Sequence, residues 1–133
     1  MTTKPLNSIT DPLTKTRNVV FVLLGTGVFI LKRRYTGPLQ EVVQSYVGNL
    51  SVSFALYYVF VNVPLFSSSK RIFAAILALA AVELFEAFNG FGIMANVYDP
   101  IDFAANAMGV ALALAVDIVL GLNRTRHAVH DSA

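Results

Sequence analysis

The sequence from residue 42 to residue 69, VVQSYVGNLSVSFALYYVFVNVPLFSSS, contains 28 residues and no charged side chain. A helix needs about 20 mainly apolar residues to cross the hydrocarbon core of a bilayer. The stretch is long enough for such a helix, and Pro64, followed by three serines, favours a helix end near that proline. We interpret this segment as one crossing of a polytopic membrane protein.

The chain before this segment divides at Thr36-Gly37-Pro38, which indicates a turn. Before the turn, the apolar run from Asn18 to Leu31 predicts a first transmembrane helix. Arg17 and Lys32 flank this run, and their aliphatic stems can extend its apolar length. After the turn, residues 39–47 carry apolar side chains at helical spacing. They form either a short interfacial helix or the beginning of helix two, and the pattern leaves both open.

Two further helices follow the uncharged segment. Helix three is predicted from Ile72 to about Asn89, and helix four from Asp99-Pro100 to about Leu122. Asp99 is a candidate helix cap, since its carboxylate can accept a hydrogen bond from a free amide and proline suits the first helical position. The predicted fold is an all-α, polytopic membrane four-helix bundle. It comprises a transmembrane domain at 18–122 between polar tails at 1–17 and 123–133.

The composition supports a lipid environment. Hydrophobic residues make up 56% of the 133 residues and charged residues 14%, against about 45–50% and about 25% in soluble domains. A net charge of +2 without a basic stripe gives nucleic-acid binding no support. The absence of cysteine excludes disulfides and thiolate metal sites. His127 and His130 are interpreted as part of a solvated tail, so we expect no metal and no cofactor.

The distribution of lysine and arginine predicts the orientation. With four crossings, seven basic residues fall on one side of the membrane and three on the other. The side with seven is expected to be cytoplasmic and holds both termini. The three on the outer side are consecutive, at positions 32–34, and the carboxylates at the same end of the bundle are expected to offset them.

Two carboxylates on helix three require a specific environment. Glu83 lies twelve residues after Arg71, or about 18 Å along the helix, and Glu86 is on the same face. A charge at the centre of a membrane helix costs about 2.5–3.5 kcal/mol to insert. These carboxylates must therefore face a partner, a cavity or a proton. They are either a ligand or proton site, or a structural ion pair that fixes helix packing.

Helix four offers a complementary face, with small and polar residues within about 80° of one another. Gly109 and Ala113 have the spacing that lets membrane helices approach closely. Asp117 is expected to pair with cytoplasmic arginines. We predict an outward-facing polar pocket between helices three and four, with Arg33 or Arg34 as the charge partner. Its predicted lining residues are Glu83, Glu86, Asp102 and Asn106.

The second half of the chain resembles the VanZ-like group of small bacterial membrane proteins. The resemblance rests on Glu83-Leu-Phe-Glu86 and on Asp99-Pro-Ile-Asp102-Phe-Ala-Ala-Asn106-Ala-Met-Gly109. The first half, from Arg34-Tyr35 to Tyr46-Val47-Gly48-Asn49, is similar to uncharacterised four-helix relatives of that group. The family usually has glutamine where Glu86 stands, and an arginine in the loop before the aspartate that is missing here. The resemblance implies a bacterial inner-membrane protein linked to the cell envelope and to glycopeptide-antibiotic tolerance.

The expected function is non-catalytic binding of a lipid headgroup, an envelope precursor or an antibiotic in the outer pocket. One alternative is an accessory subunit of a larger membrane complex or a homo-oligomer, which the glycine- and alanine-rich helix faces would suit. Another is a small proton-coupled transporter with Glu83 as the titrating group. An enzyme is the weakest reading, because no nucleophile or metal set completes a catalytic site.

Overall fold

The computed structural model describes residues 12–63, 70–88 and 99–130. Within these ranges the chain is helical and contains no strand, which confirms the all-α prediction. Its elements are α1 (Pro12–Leu31), a single 3-10 turn (Lys32–Arg34), α2 (Gln40–Asn62), α3 (Lys70–Ala87) and α4 (Pro100–His130).

The observed helices extend beyond the apolar runs that predicted them. α1 begins at Pro12 instead of Asn18, and α4 continues past Leu122 to His130. The residues after the turn at 36–38 belong to α2 itself, so no separate interfacial helix follows α1. The predicted helix ends near Pro64 and Asn89 lie outside the described residues. A hydrophobic run shows only which part of a helix is apolar. The helical backbone continues beyond that run into polar sequence when no helix-breaking residue interrupts it.

α2 is the central helix of the molecule and contacts α1, α3 and α4. α1 runs antiparallel to it: the side-chain amide of Asn18 donates to Asn62 at one end, and the Lys32 ammonium donates to the carbonyl of Gln44 at the other. α4 runs parallel to α2, and α3 lies antiparallel to α4. α1 is peripheral, because its backbone packs on α2 alone among the described helices.

Two glycines allow α1 and α4 to approach α2 closely. A Cβ atom on Gly25 of α1 would lie 2.8 Å from the Cβ of Ala55, and a Cβ on Gly109 of α4 would overlap the Leu50 carbonyl oxygen of α2. One turn after Gly109, the carbonyl of Ala113 accepts a hydrogen bond from the Tyr58 hydroxyl at 3.1 Å. The Gly109–Ala113 stripe is thus a packing face against α2, and Ala113 also belongs to the core cluster that includes Ala74 and Ala78 of α3.

The core contains small apolar residues, tyrosines and polar residues, whereas the large apolar side chains face outward. No leucine, isoleucine, phenylalanine or methionine within the described ranges is fully buried. Soluble domains place these residues in their cores and keep polar residues at the surface. Large apolar side chains, such as Leu23 (65% exposed) and Met108 (62%), face outward. The buried polar residues are Thr14, Asn18, Ser51, Ser53, Glu86, Asp102, Asn106 and Asp117.

Two of the helical stretches, Pro12–Arg34 and Pro100–Asn123, are long and apolar enough to cross a membrane. α2 has the length but carries asparagine, serine and tyrosine, and most of these side chains face its neighbours. α3 contains four charged residues, two at each end of its 18 residues. Polar side chains that face neighbouring helices lower the mean hydropathy of a helix, although they are not exposed on its outer surface.

A single carboxylate joins all four helices at the end of the bundle where α1 begins and α2 ends. Asp117 of α4 is 2% exposed and forms ion pairs with Arg17 of α1 at 2.5 Å and with Arg71 of α3 at 2.9 Å. The hydroxyl of Tyr57 on α2 donates to the same carboxylate at 3.0 Å. The predicted pairing of Asp117 with arginines is confirmed. We call these four residues the Asp117 junction.

A second layer of polar contacts supports the junction from α1. The guanidinium of Arg17 also donates to the side-chain oxygen of Asn18, and the amide of Asn18 donates to Asn62 of α2 at 3.0 Å. Asn18 is fully buried, so each of these hydrogen bonds satisfies a group that water does not reach. α1 is therefore held at this end by polar contacts as well as by packing.

We expect Asp117→Asn to destabilise the protein more than any removal of a surface charge. The substitution leaves two guanidinium groups beside an uncharged amide, and loss of one partner of a buried ion pair costs about 3–5 kcal/mol. The matched control is Glu41→Gln on the exposed start of α2. The measurement is thermal unfolding in detergent by circular dichroism, since the chain has no tryptophan. Equal melting temperatures for the two variants would contradict the proposed importance of the junction.

A second pair of variants tests the close approach of α1 and α2. Gly25→Ala adds a methyl group against Ala55 and Ser51, whereas Gly27→Ala points into space with nothing within 4 Å. Overpacking typically costs about 1–3 kcal/mol, while an alanine in place of an unpacked helical glycine stabilises by up to about 1 kcal/mol. We expect opposite shifts in the melting temperature, and shifts of the same sign would refute the contact.

Candidate functional site

The structure brings together the four residues predicted to line a pocket. Glu83 and Glu86 lie one turn apart near the end of α3, and Asp102 and Asn106 lie one turn apart near the start of α4. The Glu83 carboxylate faces the Asn106 side chain across the two helices and also senses the charge of Glu86. We call these four residues the acidic cluster. Glu86, Asp102 and Asn106 are at most 9% exposed, and Glu83 is half-buried.

Two buried polar atoms of the acidic cluster, Oε2 of Glu83 and Nδ2 of Asn106, make no close hydrogen bond with the rest of the described chain. They belong to side chains that face each other and interact through a side-chain hydrogen bond between α3 and α4. Because one atom is an acceptor and the other a donor, each is the partner of the other. More than nine in ten buried polar groups have a partner, and this contact joins α3 to α4 at the acidic cluster.

Asp102 has partners that differ from those predicted. Its carboxylate interacts with the side chain of Asn49 on α2 and with the positive charge of Lys32. Lys32 lies in the 3-10 turn after α1. Its ammonium donates to the carbonyl of Gln44 at 2.5 Å and occupies the space that a Cβ on Gly48 would need. The absent side chain at Gly48 therefore makes room for a cation beside the acidic cluster.

The predicted charge partners, Arg33 and Arg34, lie elsewhere. Both side chains are exposed, and within the described ranges neither forms an ion pair with a carboxylate. The 3-10 turn has three residues per turn, and it directs Lys32 toward α2 while the two arginines face outward. Lys32 is thus the cation that acts on Asp102, in the place where an arginine was expected.

Asp99 acts at the first turn of α4, as predicted for a helix cap. Its Oδ1 accepts a hydrogen bond from the backbone amide of Ile101 at 2.9 Å. Its Oδ2 accepts a second one, from the hydroxyl of Tyr46 on α2 at 3.1 Å. Both oxygens of this carboxylate are therefore satisfied. Asp99 therefore holds the start of α4 against α2, and this contact determines the position of Asp102 and Asn106 along the bundle axis.

Sequence reasoning missed three contributors on the neighbouring helices: Lys32, Tyr46 and Asn49. Gly48 and Asn49 carry the one sequence signal for these contacts, because a glycine next to a polar residue in a helix indicates close contact with a neighbour. Chemically, the cluster offers carboxylate acceptors and one amide donor. In the described ranges, no group of three potential metal ligands lies close enough to hold an ion.

Two buried asparagines, Asn18 and Asn106, give a matched test of polar contacts at the two ends of the bundle. The amide of Asn18 donates to Asn62, and Asn106 faces the Glu83 carboxylate. Removing one partner so that a buried polar group is left unpaired costs about 1–3 kcal/mol, and more for a charged group. We expect Asn18→Leu and Asn106→Leu each to lower the melting temperature, with the larger loss for Asn106→Leu. An unchanged melting temperature for Asn106→Leu would contradict its contact with Glu83.

Comparison of the chain with protein-family models, with curated proteins and with solved structures gave no match. The resemblance to the VanZ-like group therefore remains a prediction from the motifs around Glu83, Asp102 and Asn106.

Proposed function

We propose that this chain is an integral membrane protein with four transmembrane helices that binds a small polar ligand at the acidic cluster. The outward-facing large apolar side chains support the membrane environment, since lipid solvates them better than water does. α2, with 23 residues, spans about 35 Å, which exceeds the hydrocarbon core of about 30 Å. α3, with 18 residues, spans about 27 Å and falls within the range of about 17–25 residues for a crossing helix.

The charges of α3 are compatible with a crossing. Arg71 stands at its first turn and pairs with Asp117. Glu83 faces Asn106 of α4 and Glu86 is buried, in keeping with the rule that ionisable groups in membrane helices face the protein interior. The excess of basic residues on one side supports a cytoplasmic location of both termini, and we propose a bacterial inner membrane as the location.

The single observation that carries the binding function is the Glu83 carboxylate, which forms no ion pair with an ammonium or guanidinium group of the described chain. A carboxylate within a membrane helix is costly without a counter-charge, and the side chain that faces it, Asn106, is a neutral amide. A ligand with a positive charge would supply the counter-charge that the described chain does not. No nucleophile accompanies this carboxylate, and we therefore propose binding without catalysis.

The VanZ-like resemblance suggests the setting of this binding. It supports a function in the cell envelope, with a headgroup, an envelope precursor or an antibiotic as the ligand. The acidic cluster lies at the end of the bundle that the basic-residue count directs outward, where such molecules are found. This part of the proposal rests on the motif alone.

A second candidate function is that of a subunit in a larger membrane complex. α4 exposes Ala107, Ala111 and Ala115, four residues apart, on a face that no described helix covers. Small residues at this spacing permit close contact with another membrane helix. The mass of the particle extracted in a mild detergent distinguishes the two functions, because a subunit leaves the membrane with fixed partners.

Cysteine reactivity tests the proposed membrane environment directly, since the chain contains no cysteine of its own. Met108, on the outer face of α4, is 62% exposed, and Gln40, at the start of α2, is also exposed. A charged methanethiosulfonate reagent needs a thiolate in water. In a soluble protein Met108→Cys and Gln40→Cys would react at similar rates. In membranes we expect Met108→Cys to react at least about tenfold more slowly, because it faces lipid that disfavours the thiolate. Similar rates would refute the proposed environment.

Two further positions test the orientation. Thr36→Cys, in the exposed turn between α1 and α2, should react with an impermeant reagent in intact cells. Ser68→Cys, between α2 and α3 in sequence, should react only after the membrane is opened. Reaction of Ser68→Cys from outside would contradict the proposed orientation.

A further inference from the structure

The Asp117 junction holds more positive than negative charge. Arg17 and Arg71 share the carboxylate of Asp117, and within residues 12–63, 70–88 and 99–130 they form no ion pair with another carboxylate. The sequence has the same excess, because the end of the chain predicted to be cytoplasmic carries seven basic and three acidic residues. A half-buried charge without a counter-charge is costly. An anion at the junction would supply the missing negative charge.

The two guanidinium groups also offer more hydrogen-bond donors than their carboxylate accepts. Each guanidinium has five N–H donors, and a carboxylate has about four acceptor sites. The hydroxyl of Tyr57 uses one site on Asp117, and two hydrogen bonds from Arg17 go to the side-chain oxygen of Asn18. The donors that remain suit the oxygens of a phosphate group, which arginine binds through paired, charge-assisted hydrogen bonds.

The order of burial lets an anion reach the arginines before the carboxylate. The side chain of Asp117 is 2% exposed, whereas those of Arg17 and Arg71 are 17% and 30% exposed. The guanidinium groups therefore lie nearer the surface than the carboxylate that they share. Because the Coulomb energy falls inversely with distance, two cations in contact with an anion outweigh one carboxylate behind them.

The spacing of the two guanidinium groups matches one phosphate. Nη2 of Arg17 and Nε of Arg71 lie 2.5 Å and 2.9 Å from the two oxygens of Asp117, so these nitrogens are at most about 8 Å apart. A phosphate that accepts a hydrogen bond of about 2.8 Å from each guanidinium bridges this distance. A Cβ on Gly121 would lie 2.5 Å from Nη2 of Arg71, so the absent side chain leaves room for the guanidinium.

We propose that Arg17 and Arg71 form a binding site for an anionic phosphate group, either on a lipid headgroup or free in solution. Arg71 is the second residue of α3, and Arg17 lies five residues after the start of α1. They are therefore about 2 Å and about 8 Å from these helix ends, near the surface of the proposed membrane.

A lipid is a suitable source of this phosphate, because the cytoplasmic leaflet contains anionic lipids that attract basic groups at its surface. The backbones of α1 and α3 do not touch within the described ranges, so a bound phosphate would join two helices that meet at Asp117. The lipid as the source rests on the proposed membrane location and orientation. The phosphate site itself is independent of ligand binding at Glu83.

The experiment measures the melting temperature of the whole protein in a neutral detergent with three additives. They are dihexanoyl phosphatidylglycerol, dihexanoyl phosphatidylcholine, and sodium phosphate against sodium chloride of equal ionic strength. We expect phosphatidylglycerol at saturation to raise the melting temperature by about 5 °C. Phosphatidylcholine should give a much smaller rise, because its choline neutralises the phosphate. A rise with sodium phosphate identifies free phosphate as sufficient, and a rise with phosphatidylglycerol alone identifies a headgroup.

Three variants connect the rise to the junction. Arg71→Gln leaves Arg17 and Asp117 as a neutral pair and should abolish the rise. Lys15→Gln removes an exposed cation two residues before Arg17 and should retain the rise. Asp117→Asn leaves two guanidinium groups without a carboxylate, so we expect a larger rise than in the wild type. Circular dichroism establishes that each variant is helical before the additive is titrated.

The outcomes that would overturn the site are specific. They are no rise with either phosphatidylglycerol or sodium phosphate, an equal rise with both lipids, or an undiminished rise in Arg71→Gln. Equal losses in Arg71→Gln and Lys15→Gln would indicate a general charge effect and also refute the site. Similar reactivity of Met108→Cys and Gln40→Cys would exclude a lipid as the source, whereas a rise with sodium phosphate would still support the site.

Discussion

The arrangement of the four helices depends on one buried carboxylate. Asp117 receives a guanidinium from α1, a guanidinium from α3 and a hydroxyl from α2, so that each helix contributes one side chain to a single point. Two positive charges on one negative charge leave an excess of +1, which suits the end of the bundle that holds most of the basic residues. In the proposed membrane environment, which supplies no competing hydrogen bonds, such a junction contributes more to helix order and depth than apolar packing does, because apolar contacts differ little between protein and lipid.

The opposite end of the bundle has a different character. There Asp99 is fully bonded and Asp102 has partners, whereas Glu83 faces the neutral amide of Asn106 and forms no ion pair with a cation of the described chain. Asn106 and Asp117 share one face of α4, about 17 Å apart. The same helix thus presents a carboxylate paired with two cations at one end and, at the other, an amide opposite a carboxylate without a counter-charge.

The sequence allowed the four helices and the polar face of α4 to be predicted, because both depend on periodicity within one segment. It could not show which helix lies opposite that face. The spacing of Gly109 and Ala113 indicates close packing against another helix, but the sequence does not distinguish α2 from α3 as that helix. Lys32, and not Arg33, is the cation near Asp102 because the 3-10 turn directs it toward α2, where the missing side chain of Gly48 leaves space for it. Gly48 lies in another helix, so the sequence around Lys32 does not reveal this contact. The predicted helix ends at Asn18 and Leu122 differ from the observed ends at Pro12 and His130, because hydropathy does not measure helical propensity.

The central position of α2 has a consequence for biogenesis. In the proposed membrane environment, a helix whose serine, asparagine and tyrosine side chains are covered by its neighbours is poorly suited to lipid before those neighbours arrive. α1 can shield one side of α2 early in synthesis, but α4, which covers much of its polar face, is made after the other three described helices. The growing chain would therefore pass through an intermediate whose polar surface is still uncovered. Completion of the bundle then depends on α4, and a chain truncated before Asp117 would present quality-control proteases with that surface.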